Sequence, residues 1–264
     1  VITASRAYPV GAGATGTGRS AVLVHGLEDD WRSWEPLAVA LGSDWDLRAL
    51  CLPWRAGNDY RWRREGTPGD WLAAGLAALP DTPDVLIGHS FGANAVLEVL
   101  ARAERPPSAG AVLFAPFHRS PEAEVTWRTF ERSKRVFERH LGDGVRVRLG
   151  RRGRATDNDI VDAVVAGARG RLGPVAFLAS FDSYLASGHL DLARVDVPVL
   201  VVTGDGDPGL GTAHRDDLTG RLPRCTVLLE VEHDHFGHVR HPARFGRAVT
   251  GFASSVLPDP RRTV

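Results

Sequence analysis

Residues Asp84–Leu100 read DVLIGHSFGANAVLEVL, and this stretch changes character half-way along. Val85-Leu86-Ile87 is an apolar run of a length that suits a buried strand, whereas Ala93 to Ala103 carries its apolar residues at helical spacing. Between them stands Gly88-His89-Ser90-Phe91-Gly92, a G-x-S-x-G element. A serine at such a strand-to-helix turn sits on strained backbone, with glycines where a Cβ would collide with the neighbouring strand and helix. Ser90 Oγ is then expected to project from the carboxyl end of a sheet. The first N–H groups of the helix lie beside it, where they stabilise a negatively charged oxygen. The plainer reading is an ordinary glycine-rich turn; the apolar strand before and the small residues after (Gly92, Ala93, Ala95) argue against it.

Working outward, strand and helix alternate. Strands are expected over Ser20–Val24, Leu47–Leu52, Asp84–Ile87 and Ala111–Ala115, with helices over Trp34–Leu41 (capped by Ser33) and Asp70–Leu79. Such alternation predicts an α/β fold, a mostly parallel twisted sheet covered by helices on both faces. Residues up to Val10 suit an edge strand or hairpin, and Gly11–Gly18 (GAGATGTG) a flexible turn. From His118 the pattern becomes helical, with segments at Glu124–Leu141, Asp157–Ala168 and Gly173–Ala186. The short alternating run Val145–Leu149 is strand-like, but its alternate arginines suit an exposed segment better than a buried parallel strand. Alternation resumes with strand Val197–Thr203, helix Ala213–Leu222, strand Thr226–Val231 and helix Pro242–Val256, followed by a tail, Leu257–Val264, expected to fray. The expected organisation is an α/β core from residues 1–117 and 191–264, interrupted by a helical cap at 118–190.

The 264 residues carry 32 basic and 32 acidic side chains, a balance that gives no reason to expect a nucleic-acid or membrane-surface partner. No apolar stretch approaches membrane-spanning length, so a soluble, cytoplasmic protein is expected. Two cysteines, Cys51 and Cys225, do not make a disulfide framework and read as buried thiols.

A nucleophilic serine needs a base to take its proton and a carboxylate to orient that base, both on loops at the same sheet edge. Asp205 and Asp207 lie just after the strand Val197–Thr203, and His233, His235, His238 and His241 crowd the loop after Thr226–Val231. The chain order Ser, Asp, His is the one expected with this nucleophile turn.

With His25-Gly26, the G-x-S-x-G element, G-x-x-D at Gly204–Asp207 and the histidine loop with Pro242 downstream, the chain resembles α/β-hydrolase-fold proteins with a helical cap over about Ser20–Ser254. The resemblance implies a catalytic triad of Ser90, Asp207 and His235. It selects Asp207 over Asp205 by the G-x-x-D spacing, and His235 over His238 by His-Phe with a proline seven residues on, although Asp234 stands where relatives usually have glycine. It also implies an oxyanion hole from the amides of Phe91 and Leu27, and no cofactor. A competing reading takes His233-Asp234-His235-Phe236-Gly237-His238 as a zinc cluster; Gly237 occupies the position that would need an aspartate, so no metal is expected.

Relatives usually continue the strand after residue 47 into an aspartate and a small glycine-rich turn; here Pro53–Trp62 (PWRAGNDYRW) takes that place. Trp54, Tyr60 and Trp62 are candidate pocket walls for a bulky apolar ligand, the alternative being that they pack the loop onto the cap. In the cap, Trp127, Phe130 and Phe137 share one helical face and Phe177, Phe181 and Tyr184 another; Trp127 and Phe181 are carried as candidate substrate contacts, against core packing. The charged face from Arg128 to Arg139 reads as solvated, and Asp29 and Asp30 as caps for the segment after Trp31 rather than as a site for a cationic group. The expected activity is cleavage of an ester or thioester of a bulky small molecule. Elimination or acyl transfer on a natural product such as a polyketide is the alternative, and a non-catalytic receptor the remoter one.

Overall fold

The structure is a computed structural model that describes residues 2, 5–11, 18–155, 158–230 and 233–257. The interior of the Gly11–Gly18 turn, residues 258–264 of the tail, Val231 and the expected helix start Asp157 lie outside the described residues. Seven strands form one sheet in the order β1-β3-β2-β4-β5-β6-β7. They are β1 (Arg6–Pro9), β2 (Arg19–Val24), β3 (Trp45–Cys51), β4 (Val85–His89), β5 (Gly110–Phe114), β6 (Val199–Gly204) and β7 (Cys225–Glu230). Only β1 is antiparallel, paired with β3 at the edge; every other pairing is parallel.

Alternation of side chains along the strands sorts the core into two layers. Val22, Val24, Leu86, Leu113 and Val201 face one side, under α2 (Pro68–Ala77) and α3 (Phe91–Arg102). Leu23, Val85, Ile87, Val112 and Val202 face the other, under α1 (Glu35–Leu41) and a C-terminal helix, Pro242–Val256. Strands β4, β5 and β6 are buried at every residue, which is why they read as unbroken apolar runs. The chain leaves β2 toward β3 on one side and later returns to β4 on the other, so the loops after β2 and β4 flank a switch point, where open parallel sheets place their ligands.

The segment between β5 and β6 is helical: α4 (Trp127–Ala155) and α5 (Asn158–Ser187) pack against each other. Val145–Leu149 is not a strand, as the sequence suggested, but part of α4. Its Val-Arg alternation imitates a two-residue period, yet on a helix Arg146 and Arg148 diverge, the first pairing with Asp162 and the second reaching Asp29. The break expected between Ala168 and Gly173 is absent too, since α5 runs through Pro174. The remaining helices are α6 (Thr212–Arg221), the single turn α7 (Gly237–Arg240) and α8 (Pro242–Val256). Asp30 caps the turn at Trp31–Trp34, as expected, its carboxylate accepting from the Arg32 amide at 3.0 Å; α1 follows from Trp34 without a side-chain cap, so Ser33 does not cap it.

Candidate active site

Ser90 has φ 53° and ψ −120°, a conformation that non-glycine residues rarely hold. It is tolerated because the flanking glycines let the turn close. A Cβ on Gly88 would lie 2.7 Å from Ala93 Cα, and one on Gly92 would lie 2.4 Å from the Val24 carbonyl oxygen. The turn aims Ser90 Oγ at the loop after β7, where His235 Nε2 accepts its proton at 2.8 Å. His235 Nδ1 in turn donates to Asp207 Oδ2 at 2.8 Å. The other carboxylate oxygen, Oδ1, accepts from the Gly209 amide at 2.8 Å and from His140 Nε2 at 2.9 Å. Burial pushes the Asp207 carboxyl up, but the His235 ring and the hydrogen bonds from both histidines outweigh it and hold the carboxyl well below the usual range.

The rivals lie elsewhere. Asp205 is exposed, and it is Asp207 that bonds the imidazole. His238 is 1 % exposed, its ring 5.1 Å from that of Trp34 and 5.6 Å from that of Phe114; burial lowers its pKa to about 3. His233 packs against His241 and Phe245. The histidines of this loop therefore face different neighbours and do not converge as a zinc cluster. Among the described residues a different trio, His140, Asp207 and His235, has ligand atoms within 4.8 Å of one another. Those atoms are already joined as donor and acceptor in the array above.

Leu27 and Phe91 line the same cavity as Ser90, and neither amide donates to another residue among those described. Leu27 is followed by Glu28 at φ 55°. His25, whose basicity burial lowers, receives the Leu52 amide on Nε2 at 3.1 Å, with its Nδ1 donating to Gly26 O at 2.8 Å. His89, the residue before the serine, donates from Nε2 to the His235 carbonyl at 2.9 Å and so ties the His235 loop to β4.

Above Ser90 lies a cavity of about 340 Å³, roofed by α4 and α5 and floored by the loops after β2, β4, β6 and β7. That volume falls at the lower end of the range for small-molecule sites. The sequence model of the alpha/beta hydrolase family matches residues 21–248. This chain belongs to the alpha/beta hydrolase family. Solved structures agree on the fold. A bromoperoxidase from Bacillus anthracis is 20 % identical, with 94 % of each chain covered and a TM-score of 0.67. A hydrolase from Oleispira antarctica is 13 % identical, with 96 % of each chain covered and a TM-score of 0.70. A haloalkane dehalogenase loop variant from Bradyrhizobium elkanii is 16 % identical, covering 92 % of this chain and 91 % of its own, with a TM-score of 0.62. No curated protein matches the chain in sequence. Among the described residues no helix is long and apolar enough to cross a membrane.

In this alpha/beta hydrolase the aromatic loop does not form the pocket wall that its composition suggested. Trp54 and Trp62 are buried; their rings pack edge-on against Phe91 at 5.4 and 5.9 Å, and the Trp54 indole donates to the His25 carbonyl at 3.0 Å. Tyr60 turns to Glu28, donating its hydroxyl to Oε1 at 2.7 Å, and faces a neighbouring cavity. The ring partner of both tryptophans is the turn that carries Ser90, while the loop meets the cap through the ion pair of Arg63 with Asp182. Trp127 is 70 % exposed, stacked on Phe130 and outside the cavity lining, because it stands at the first position of α4. Phe181 does line the cavity, with Phe137, Phe177 and Tyr184.

Residues that sequence reasoning missed are His140 and Arg148 on α4 and Glu28 on the loop after β2. Arg148 donates to the Glu28 carbonyl and lies 3.3 Å from Asp29. The carboxylate of Glu28 accepts from the Gly57 amide and from Asn58 Nδ2 as well as from Tyr60. The only signal for His140 was its place in register with Phe137 on one helix face.

Proposed function

We propose that this alpha/beta hydrolase is a serine hydrolase that cleaves an ester or thioester through an acyl-enzyme on Ser90. One observation carries the reading: Ser90 Oγ, His235 and Asp207 form a continuous hydrogen-bonded chain whose serine end opens into the cavity. Ser90 attacks the acyl carbon as His235 Nε2 takes its proton, and Asp207 stabilises the imidazolium. The carbonyl oxygen becomes an oxyanion held by the Leu27 and Phe91 amides; a single such donor supplies about 3 to 4 kcal/mol of transition-state stabilisation. His235 then gives the proton to the leaving group, and water repeats the sequence on the acyl-enzyme.

The lining argues for the substrate class. Phe117, Val136, Phe137, Leu141, Phe177 and Phe181 supply apolar wall for a bulky acyl or alcohol portion. Arg128 and Arg132, one turn apart on α4, also line the cavity, and among the described residues neither has a hydrogen-bond or ion-pair partner. Both are exposed at the cavity mouth, where an anionic group remote from the reacting carbonyl would exchange with water on them.

A fluorophosphonate probe followed by intact-mass analysis tests the nucleophile. One adduct on the wild type and none on Ser90→Ala is expected; labelling that survives Ser90→Ala would sink the assignment. Turnover in oxygen-18 water separates hydrolysis from elimination. Hydrolysis puts solvent oxygen into the released acid, and unlabelled acid with a new carbon-carbon double bond in the other product would exclude it.

A further inference from the structure

His140 comes from α4, not from the α/β core, yet it sits on two members of the hydrogen-bonded array at once. Its Nε2 lies 2.9 Å from Asp207 Oδ1, and because a carboxylate only accepts, the imidazole is the donor. Its ring lies flat on that of His235, with centroids 3.6 Å apart and planes 8° from parallel. The close approach is prepared by two glycines. A Cβ at Gly209 would stand 3.2 Å from His140 Cε1, and one at Gly144, one turn along α4, would stand 3.0 Å from the Phe236 ring. His89 also meets His235, its tilted ring centroid 4.9 Å away. The imidazole is thereby packed between rings from two elements, with α4 supplying the stacked one.

We propose that His140 is a positioning residue of the triad: its Nε2–H fills the second oxygen of Asp207 and its ring covers His235, so the base is held to Ser90 only while α4 is seated. This inference rests on the triad reading above. A neutral His140 is required, because two imidazolium rings in face-to-face contact would repel. Burial first, and then the neighbouring His235, depress its basicity, against the opposing pull of Asp207 and Asp143. The other ionisable or charged groups near the pair are His89, which meets the His235 ring, His238, which packs on His89, and Arg139, which donates to the Gly206 carbonyl. None of them is altered in the test.

Three variants, His140→Gln, His140→Phe and His140→Ala, separate donor from ring. The readouts are fluorophosphonate labelling rate and steady-state turnover of p-nitrophenyl butyrate. Gln keeps a donor and is expected to stay within about threefold of wild type; Phe keeps a ring without a donor and is expected to lose about tenfold in kcat with KM unchanged. With the donor gone, more of the Asp207 charge is left to stabilise protonated His235. The acidic limb of the pH–rate profile therefore shifts to higher pH in His140→Phe and not in His140→Gln. A Phe variant with wild-type kcat and acidic limb, or a Gln variant as impaired as Ala, overturns the proposal. Should the variants fail to fold, nitrogen-15 NMR of histidine in the wild type decides. A neutral, Nε2-protonated His140 that titrates below an ordinary imidazole is expected, and an Nδ1–H tautomer or an ordinary imidazole midpoint refutes it. Ester turnover that survives Ser90→Ala would instead count against the triad reading, whatever His140 does.

Discussion

Replacing Glu28 with Gln changes one atom type in a site built for a carboxylate. The side chain is 5 % exposed and receives three donors, Gly57 N on Oε2 at 3.1 Å and Asn58 Nδ2 and Tyr60 Oη on Oε1 at 2.7 Å each. A glutamine must turn its NH2 toward one of these oxygens' positions. Toward Gly57 it meets a fixed backbone donor; toward Asn58 and Tyr60 it meets two donors, only one of which can rotate to accept. The first arrangement is the milder. It forfeits one hydrogen bond to a charged group, about 2 kcal/mol, and weakens the other two from charge-assisted to neutral, about 1 kcal/mol more. Glu28→Gln should therefore destabilise the fold by about 3 kcal/mol in urea denaturation followed by tryptophan fluorescence. Tyr60→Phe removes one of the three bonds and should cost about 1.5 kcal/mol. The double variant should cost less than the sum, because both changes act on the same bond. Function should fall as well. Glu28 holds φ 55° directly after Leu27, so loosening its anchors displaces the Leu27 amide, and fluorophosphonate labelling should slow about tenfold. A Glu28→Gln protein within about 0.5 kcal/mol of wild type that labels at the normal rate would refute the view that the Pro53–Trp62 loop braces the segment carrying Leu27, the proposed oxyanion donor.

His238→Phe should keep probe labelling and match or exceed wild-type stability at neutral pH by about 1 kcal/mol, since both ring nitrogens of His238 are buried without a hydrogen-bond partner among the described residues. Because its folded pKa of about 3 lies below the ordinary 6.5, the unfolded chain binds the extra proton: stability is fully present above about 6.5 and is lost as pH falls toward 3. Urea midpoints measured between those limits should fall less steeply in His238→Phe than in wild type. Arg132→Gln should lower kcat/KM about threefold for a p-nitrophenyl half-ester of a dicarboxylic acid and leave a neutral p-nitrophenyl ester unaffected, with the difference shrinking at high salt. Equal effects on both esters would remove the anionic substrate group from the reading.

The fold was legible because its signals are local. Val85–Ile87 must be apolar on both faces to sit in a parallel sheet, and Gly88 and Gly92 must lack a Cβ for the turn to close, so each residue announces its own constraint. The spacing of Asp207 and His235 behind their strands likewise brought them to the edge where Ser90 stands. His140 gave no such sign. Its partner is 67 residues away in sequence, and register with Phe137 on one helix face says only which side His140 is on, not what it contacts. Trp54 and Trp62 misled for a related reason: an aromatic loop next to a nucleophile has the composition of a pocket wall whether its rings face the cavity or the back of Phe91. Val145–Leu149 misled because a two-residue alternation that short fits either period, and only contact with Asp29 and Asp162 decides for the helix.

One helix, α4, carries both His140, which bonds Asp207, and Arg148, which bonds the Glu28 carbonyl. The lid is thus not an interchangeable part. Grafting the helical insertion of another family member onto this core would transplant the substrate walls but discard two wires that run from the roof into the machinery below. Chimeras that preserve only the shape of the roof should fold and bind yet turn over slowly, and restoring these two side chains on the borrowed helix is the repair to attempt first.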